Sequence, residues 1–143
     1  YSIYEGMKEE VTLTDEVAYL KNYIELHKIR YHKKIDIEFD ENVLENHRIM
    51  PLLFIILLEN AFKHGVENLR EHAFVRVKII SDKTHISFTV ENNFDSSIKQ
   101  EETGLGLKNL KRRLELVYPK KHKLLTLVNE NVYKTELILE LYD

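Results

Sequence analysis

The sequence predicts a two-layer α/β domain in which a mixed β-sheet is covered on one face by helices. Two observations lead to this prediction. Segments with apolar side chains at helical spacing are interspersed with segments in which apolar and polar residues alternate as in half-buried strands. The chain has 143 residues, enough for one domain with a substantial core. The segments follow the order helix, strand, helix, two strands, a polar stretch, helix and two strands.

The first segments predict a helix and a strand. Thr12 or Thr14 can cap a helix that runs to about Arg30, with acidic residues in its first turn. Residues 34–39 then alternate between apolar and polar side chains, as a half-buried strand does. The residues expected on the apolar face of the helix are Val17, Leu20, Ile24, His27 and Tyr31.

The middle of the chain predicts a buried helix and a hairpin. Pro51 suits the first turn of a helix, where its missing N–H costs nothing. Residues 52–62 are apolar nearly all round, which indicates a helix that is covered on more than one side. Residues 73–80 and 85–91 alternate again, and the four residues between them make a hairpin.

The remaining segments predict a lid, a third helix and two strands. Residues 92–103 are polar, lack periodicity and are long enough to form a mobile lid. A helix is expected over 105–117, followed by Pro119 as a stop signal. Its apolar face contains Leu107, Leu110, Leu114 and Val117, and strands are expected over 124–128 and 136–141.

The composition excludes several classes of protein. The formal net charge is −3 and no long run of one sign occurs, which argues against a dedicated nucleic-acid surface. Without cysteine, disulfide frameworks and zinc–thiolate sites are excluded. The longest apolar run, 50–58, is about half the length that spans a bilayer. Because the chain begins at Tyr1 without a signal peptide, we expect a piece of a longer protein.

Several polar residues lie at the C-terminal end of the second predicted helix. Glu59 and Lys63 share one helix face at a spacing of four residues, and Asn60 and His64 share the adjacent face. Ordinary helix chemistry explains most of them: Gly65 as a C-cap, two cations that complement the helix dipole, and a surface ion pair. Asn60 fits less well, because an amide in so apolar a helix needs a hydrogen-bond partner or a ligand. Its carbonyl oxygen suits Mg²⁺, and both interpretations stay open here.

A second group of residues begins the third predicted helix. Gly104, Leu105 and Gly106 run directly into it. Unpaired backbone N–H groups and the positive end of the helix dipole then meet at one place, an arrangement that binds phosphate. The alternative is that the two glycines only let a loop enter a helix.

Together the two segments resemble the N box and the G box of bacterial sensor histidine kinases. The first is Glu-Asn-Ala-Phe-Lys-His-Gly at 59–65, and the second is Gly-Leu-Gly-Leu-Lys-Asn at 104–109. Residues 109–118 are similar to the Asn-x-x-x-Arg-Leu-x-x-x-Tyr stretch of the branch related to LytS and YehU sensor kinases. Residues 13–31 resemble the Leu-x-x-Glu and Tyr-x-x-x-x-x-x-Arg-Tyr pattern that precedes the ATP-binding domain in that branch.

This resemblance implies the Bergerat-type (GHKL) α/β sandwich with an ATP site that uses Mg²⁺. Asn60 is expected to hold the ion through its amide oxygen, while Lys63 and His64 face the phosphates. Glu59 aligns with the residue that polarises water in ATPase relatives, and in a kinase it is expected to help activate the attacking histidine. Gly104, Leu105, Gly106 and Leu107 are expected to line the lid beside the phosphates.

The adenine side departs from the family pattern. Many histidine kinases have Asp-x-Gly there, where the aspartate bonds the adenine amino group. Here Asn92 replaces the aspartate and Phe94 the glycine. An asparagine still accepts through its oxygen, although without the charge that strengthens such a bond, and Asn93 is an alternative contact. Thr135 either supports the adenine or is an ordinary sheet residue.

The phospho-accepting histidine of this branch lies upstream in a His-Phe-x-x-Asn helix, and nothing in the chain matches that pattern. His27 and His32 lack its context, and we expect them to be solvated or packing residues. We therefore expect residues 32–143 to be the ATP-binding catalytic domain and residues 1–31 to be the tail of a dimerisation helix or its connector. Such a chain should bind ATP without phosphorylating itself.

The resemblance also implies partners and a location. We expect ATP, Mg²⁺, an upstream dimerisation and phospho-acceptor segment, a response regulator and a homodimer of the full-length protein, with no direct nucleic-acid contact. The location implied is the cytoplasmic side of a bacterial inner-membrane sensor. Two other functions stay open. The altered adenine motif favours a degenerate GHKL interaction module, and Glu59 favours a GHKL ATPase without a protein acceptor.

Overall fold

The structure, a computed structural model, describes residues 10–30, 35–65, 69, 71–95 and 105–141, without the side chains of residues 64, 105 and 106. The elements of this described part, in chain order, are β1 (Val11–Thr12), α1 (Leu13–Arg30), β2 (Ile35–Val43), β3 (Arg48–Ile49), α2 (Phe54–His64), β4 (Ala73–Ser81), β5 (His85–Asn93), α3 (Leu105–Val117), β6 (His122–Asn129) and β7 (Val132–Glu140). No helix in these ranges is both long and apolar enough to cross a membrane.

The main sheet has five strands in the order β2-β4-β5-β7-β6. The pair β2–β4 is parallel, and the other three pairs are antiparallel. Successive strand residues point to opposite faces, and one set of apolar side chains is buried under the helices. This is the predicted mixed sheet covered on one face. The buried set contains Val75, Val77, Ile79, Ile86, Phe88, Val90, Leu137 and Leu139.

The helix α2 occupies the middle of the helical layer. Six of its side chains are buried, and the ring of Phe54 stacks on that of Phe88 of β5 at a centroid distance of 4.8 Å. A helix buried on several sides is what its nearly continuous apolar sequence predicts. The buried side chains of α2 are Phe54, Ile55, Leu57, Leu58, Ala61 and Phe62.

The helix α1 packs into the same core as the sheet. Its buried apolar side chains follow the predicted helical spacing, and they belong to one cluster with those of α2 and β5. The ring of His27 stacks on that of Tyr23 and meets Phe62 edge-on at 5.6 Å, which agrees with the expected packing role. The division between residues 1–31 and 32–143 stays a prediction, but α1 has no core separate from that of the domain. The buried apolar residues of α1 are Leu13, Val17, Leu20 and Ile24.

A small sheet that the sequence did not suggest holds the start of α1. Strands β1 and β3 pair antiparallel, with Val11 opposite Ile49. The cap is Thr12, whose Oγ1 accepts a hydrogen bond from the N–H of Asp15 at 3.2 Å. Of the two predicted caps, Thr12 is therefore correct and Thr14 lies inside the helix.

Two predicted boundaries are wrong. Pro51 is not in the first turn of a helix, because residues 51 and 52 form a turn and α2 begins at Phe54. The backbone of Leu52 has a φ of 65°, which is incompatible with a right-handed helix. The predicted lid does not begin at residue 92, since Asn92 and Asn93 end strand β5. The remainder of the predicted lid from residue 96 onward lies outside the described residues.

Candidate functional site

The last two turns of α2 present polar side chains beside the core. Glu59 and Lys63 are exposed, whereas Asn60 is half-buried. Although both charged side chains are described, they form no ion pair with each other or with another described residue, so the predicted surface pair is absent. His64 ends the helix, and its side chain is not among those described. The exposed face therefore offers one carboxylate and one ammonium group to a ligand or a partner.

The side-chain amide of Asn60 is suited to act as a ligand of a metal ion. No described residue forms a hydrogen bond with it, and every fully buried polar side-chain atom of the described residues has a partner. The amide of Asn60 must therefore reach the surface. No cluster of three acidic or histidine side chains able to hold a metal occurs within the described ranges. Mg²⁺ is commonly held by one or two protein oxygens together with substrate phosphates and water, and a single amide oxygen matches that pattern.

Gly65 brings the end of α2 against the end of β5. A β-carbon at residue 65 would lie 2.2 Å from Nδ2 of Asn92, 2.6 Å from the carbonyl oxygen of Asn93 and 2.8 Å from that of Ala61. Gly65 is the C-cap of α2, as predicted, and its N–H donates to the carbonyl oxygen of Ala61 at 3.0 Å. Its φ of −107° lies outside the left-handed region that often favours glycine at a C-cap. Glycine is required here because the two backbones approach closely. The contact joins the N box directly to the predicted adenine residues.

The side chain of Asn92 is oriented by its own neighbour. Asn92 is 2% exposed, and its Nδ2 donates a hydrogen bond to the carbonyl oxygen of Asn93 at 3.0 Å. Because a carbonyl oxygen only accepts, this bond fixes which end of the amide is which. No described group donates to Oδ1 of Asn92. Its Oδ1 is therefore an acceptor that remains available to an amino group such as that of adenine.

This geometry gives a physical reason for asparagine in place of the family's aspartate. A carboxylate has no N–H, so an aspartate at position 92 would place an oxygen against the carbonyl oxygen of Asn93. The amide removes that repulsion and keeps one acceptor. The departure from the family pattern is thus compatible with adenine binding.

Asn93 has a different set of contacts. Its Oδ1 accepts from the N–H of Phe74 at 2.9 Å, and its Nδ2 donates to the carbonyl oxygen of His72 at 2.7 Å. Both ends of the amide are thus used to tie the end of β5 to the start of β4. Asn92, rather than Asn93, has an acceptor to offer a base.

Thr135 lies near Asn92 on the helix-covered face of the sheet. It is 2% exposed and stands opposite Val90 of β5, while Asn92 stands opposite Tyr133. Since directly opposed residues point to the same face, Thr135 and Asn92 are diagonal neighbours. The structure places them together, and the role of Thr135 stays a prediction.

The G box begins α3. The helix starts at Leu105, and Leu107 is half-buried and packed against the core. Gly104 lies outside the described residues, and for Leu105 and Gly106 only their place in the helix is described. Because α2 and α3 are neighbours in the helical layer, the start of α3 belongs to the same layer as Asn60.

Two grooves lie on the opposite, uncovered face of the sheet. One measures about 230 Å³ and the other about 560 Å³, and Arg76 lines both. Its guanidinium is paired with Glu38 at 3.5 Å and with Glu91 at 3.2 Å. These grooves therefore contain side chains that neutralise one another, and neither touches the residues of the N box.

The sequence of the chain is similar to that of two LytS sensor proteins. The chain is 29% identical over 132 residues to the sensor histidine kinase/phosphatase LytS of Staphylococcus aureus (strain MRSA252), a match that covers 81% of this chain and 23% of that protein. It is 25% identical over 130 residues to the sensor protein LytS of Streptococcus agalactiae serotype V, covering 82% of this chain and 22% of that protein. The chain is a relative of the LytS sensor histidine kinases. The resemblance stated from the two boxes is thus confirmed.

The chain spans less than a quarter of the length of these LytS relatives. No family model matches it. Since each match covers more than four fifths of this chain, it includes both boxes.

Solved structures identify the fold. The catalytic domain of the histidine kinase ThkA superposes with a TM-score of 0.65 at 20% identity, covering 92% of this chain and 94% of that chain. ThkA in complex with the response regulator protein TrrA gives a TM-score of 0.64 at 20% identity, covering 94% of this chain and 42% of that chain. The predicted two-layer fold is confirmed, and it is shared with histidine kinase catalytic domains of known structure.

Two residues of the LytS-like motifs have roles that the sequence did not reveal. Glu16, predicted as one of the acidic residues of the first turn, is 4% exposed, and its Oε2 accepts from the N–H of Leu52 at 3.2 Å. Burial raises the pKa of this carboxyl, and the N–H of Leu52 lowers it less. Tyr118 is 7% exposed, and its hydroxyl accepts from the N–H of Met50 at 3.0 Å. The burial of Glu16 could have been predicted from its position beside Val17 on the buried face of α1.

Proposed function

We propose that this chain is the ATP-binding catalytic domain of a two-component sensor histidine kinase. The observation that carries the proposal is the contact between Gly65 and Asn92, which joins the N box to an available adenine acceptor. Asn60 lies in the last turns of the same helix, and its amide has no protein partner among the described residues. The similarity to LytS over both boxes supports the same conclusion.

In this proposal Asn92 binds the adenine amino group through Oδ1, and Lys63 neutralises phosphate charge. Asn60 holds Mg²⁺, which would supply charge neutralisation at the phosphate oxygens. Glu59 stands exposed beside this end of α2, where its carboxylate can accept the proton of an incoming imidazole. The resemblance assigns Gly104 and Gly106 to the phosphate side of the site.

The reaction proposed is transfer of the ATP γ-phosphoryl group to a histidine of the parent protein's dimerisation segment. The imidazole nitrogen forms a bond to the γ-phosphorus while the bond to the bridging oxygen breaks, and ADP leaves. Phosphoryl transfer depends mainly on positioning and charge neutralisation, and the residues above supply both. A response regulator would then receive the phosphoryl group, and ThkA crystallised with the response regulator TrrA supports a partner of that kind.

The exposed Glu59 also suits the alternative of an ATPase without a protein acceptor, whereas the degenerate interaction module is not favoured by the LytS similarity. An assay of the parent protein with γ-labelled ATP separates them. The proposal predicts an acid-labile phosphohistidine and, in Glu59→Gln, a slower transfer with nucleotide affinity unchanged. Rapid release of free phosphate without a phosphohistidine would contradict the kinase and support the ATPase.

A further inference from the structure

The turn that precedes α2 is held by side chains from two other helical segments. Residues 50–52 of this turn have two backbone N–H donors, since Pro51 has none. Tyr118 accepts from the N–H of Met50 at 3.0 Å, and Glu16 accepts from the N–H of Leu52 at 3.2 Å. Both donors are therefore satisfied by buried side chains. We refer to Glu16 and Tyr118 together as the clamp.

The backbone of this turn is unusual. Leu52 has a φ of 65°, a conformation that a β-carbon disfavours. Such a conformation persists only where the surroundings determine it. The bond to Glu16 is made by the N–H of Leu52 itself, and the bond to Tyr118 is made two residues earlier, by Met50. The clamp thus accounts for the geometry from which α2 starts.

The two clamp residues come from different parts of the fold. Glu16 lies in α1, and Tyr118 directly follows α3, to which it is joined by a backbone hydrogen bond to Leu114 at 2.8 Å. Every element of the helical layer therefore meets at this turn. The clamp residues are also the glutamate and the tyrosine of the two LytS-like motifs that the proposed reaction leaves without a role.

The far end of α2 is the nucleotide end. The helix has 11 residues, so it spans about 16 Å at 1.5 Å per residue. Because α2 is packed on several sides, a change at its first turn moves or rotates the helix as a unit. At its other end Gly65 lies in close contact with Asn92, so a shift of the helix would disturb this contact and move Asn60 as well.

Apolar residues would dock α1 and α3 on the core equally well. A carboxyl group at position 16 is costly there, because burial raises its pKa and the neighbouring Asp15 adds a smaller repulsion. The carboxyl group supplies the acceptor that the backbone N–H of Leu52 needs, which an apolar side chain could not do. Packing alone therefore does not explain Glu16.

We propose that Glu16 and Tyr118 are positioning residues, which set Asn60 and Gly65 against Asn92 by fixing the start of α2. This inference rests on the proposed nucleotide function. It assigns no contact with nucleotide to the clamp itself, and it joins α1 to the site through α2.

The test is the affinity for an ATP analogue in the presence of Mg²⁺, at a temperature where every variant retains the wild-type circular dichroism spectrum. Glu16→Ala and Tyr118→Phe each remove one acceptor, and Glu16→Gln retains one. Matched controls are Glu25→Ala and Tyr19→Phe, which alter exposed residues of the same helix. We expect the two acceptor-free variants to bind about threefold to tenfold more weakly, the range one hydrogen bond supplies. Glu16→Gln and both controls should bind as the wild type does.

A double-mutant cycle with Asn60→Ala separates positioning from a general structural effect. If the clamp acts through the end of α2, Glu16→Ala should weaken binding less in the Asn60→Ala background than in the wild type. Additive losses, equal losses in Glu16→Gln and Glu16→Ala, or wild-type affinity in both acceptor-free variants would overturn the clamp while leaving the proposed function intact. A wild-type chain that binds no nucleotide would overturn the proposed function and the clamp together.

Discussion

Gly65 and Asn92 are in contact: a β-carbon on the glycine would lie 2.2 Å from the side-chain nitrogen of the asparagine. The contact unites the end of a buried helix with the end of the central strand. It also explains why the C-cap of α2 is a glycine although its φ is −107°.

Gly65→Ala should destabilise the fold. The added carbon would collide with the side chain of Asn92 and with two carbonyl oxygens, and backbone atoms cannot move aside cheaply. Overpacking of this kind costs about 1–3 kcal/mol. Urea denaturation measures the loss. Adding Asn92→Ala to Gly65→Ala should restore only part of it, because the carbonyl oxygens of Ala61 and Asn93 remain, and full recovery would contradict this geometry.

Asn92→Asp should lower stability, although it restores the residue that many histidine kinases have. The carboxylate cannot donate to the carbonyl oxygen of Asn93 and instead repels it. We expect a loss of about 1–3 kcal/mol in the free energy of unfolding at neutral pH, measured by urea denaturation. The matched control Asn22→Asp changes an exposed asparagine of α1. Unchanged stability in Asn92→Asp would mean that the amide orientation inferred here is wrong.

Asn92 and Asn93 should give opposite patterns when each is replaced by alanine. Asn93→Ala removes two hydrogen bonds to the backbone of residues 72 and 74, so it should cost about 1–3 kcal/mol of stability. Asn92→Ala should chiefly weaken nucleotide binding. Thermal denaturation and nucleotide titration of both variants provide the comparison. A larger affinity loss in Asn93→Ala would make Asn93 the adenine contact.

Glu16 should make stability depend on pH. Burial raises its pKa in the folded state, so the folded protein binds this proton more tightly than the unfolded chain does. Stability from this group is therefore greatest below the ordinary pKa of glutamate and is lost as pH rises through the raised value. Glu16→Gln lacks this titration. The stability of the wild type minus that of Glu16→Gln should fall with rising pH across this range.

Urea denaturation at a series of pH values measures that difference. Glu25→Gln, an exposed substitution on the same helix, is the matched control. A flat difference for Glu16→Gln would contradict the burial of an ionisable carboxyl at position 16.

The local periodicity of the sequence was sufficient for the helices and most strands. The spacing of Leu107, Leu110 and Leu114 gave the bounds of α3 correctly, because packing on one side imposes a strict period. The pairing of strands that are distant in the sequence could not be predicted from such local patterns. The parallel pair β2–β4 and the short pair β1–β3 join segments far apart in the chain, and no local signal encodes their register.

The candidate site was predictable in its residues but not in its contacts. Motif matching selected Asn60 and Asn92, and it could not reveal that Gly65 touches Asn92. Pro51 suggested a helix start, but the left-handed backbone of Leu52 shows a turn. That turn depends on side chains 36 and 68 residues away in the chain, which local propensity cannot include.

The measurement that tests the central claim most directly is calorimetric titration of this chain with a non-hydrolysable ATP analogue, with and without Mg²⁺. We predict saturable binding that Mg²⁺ strengthens. The strengthening by Mg²⁺ should be lost in Asn60→Ala, which keeps weaker binding, and retained in Asn22→Ala, an exposed asparagine outside the site. Because a ligand that binds the folded state stabilises it, the melting temperature should rise with analogue concentration. Absence of binding at millimolar analogue, or Mg²⁺-dependent binding unchanged in Asn60→Ala, would contradict this account.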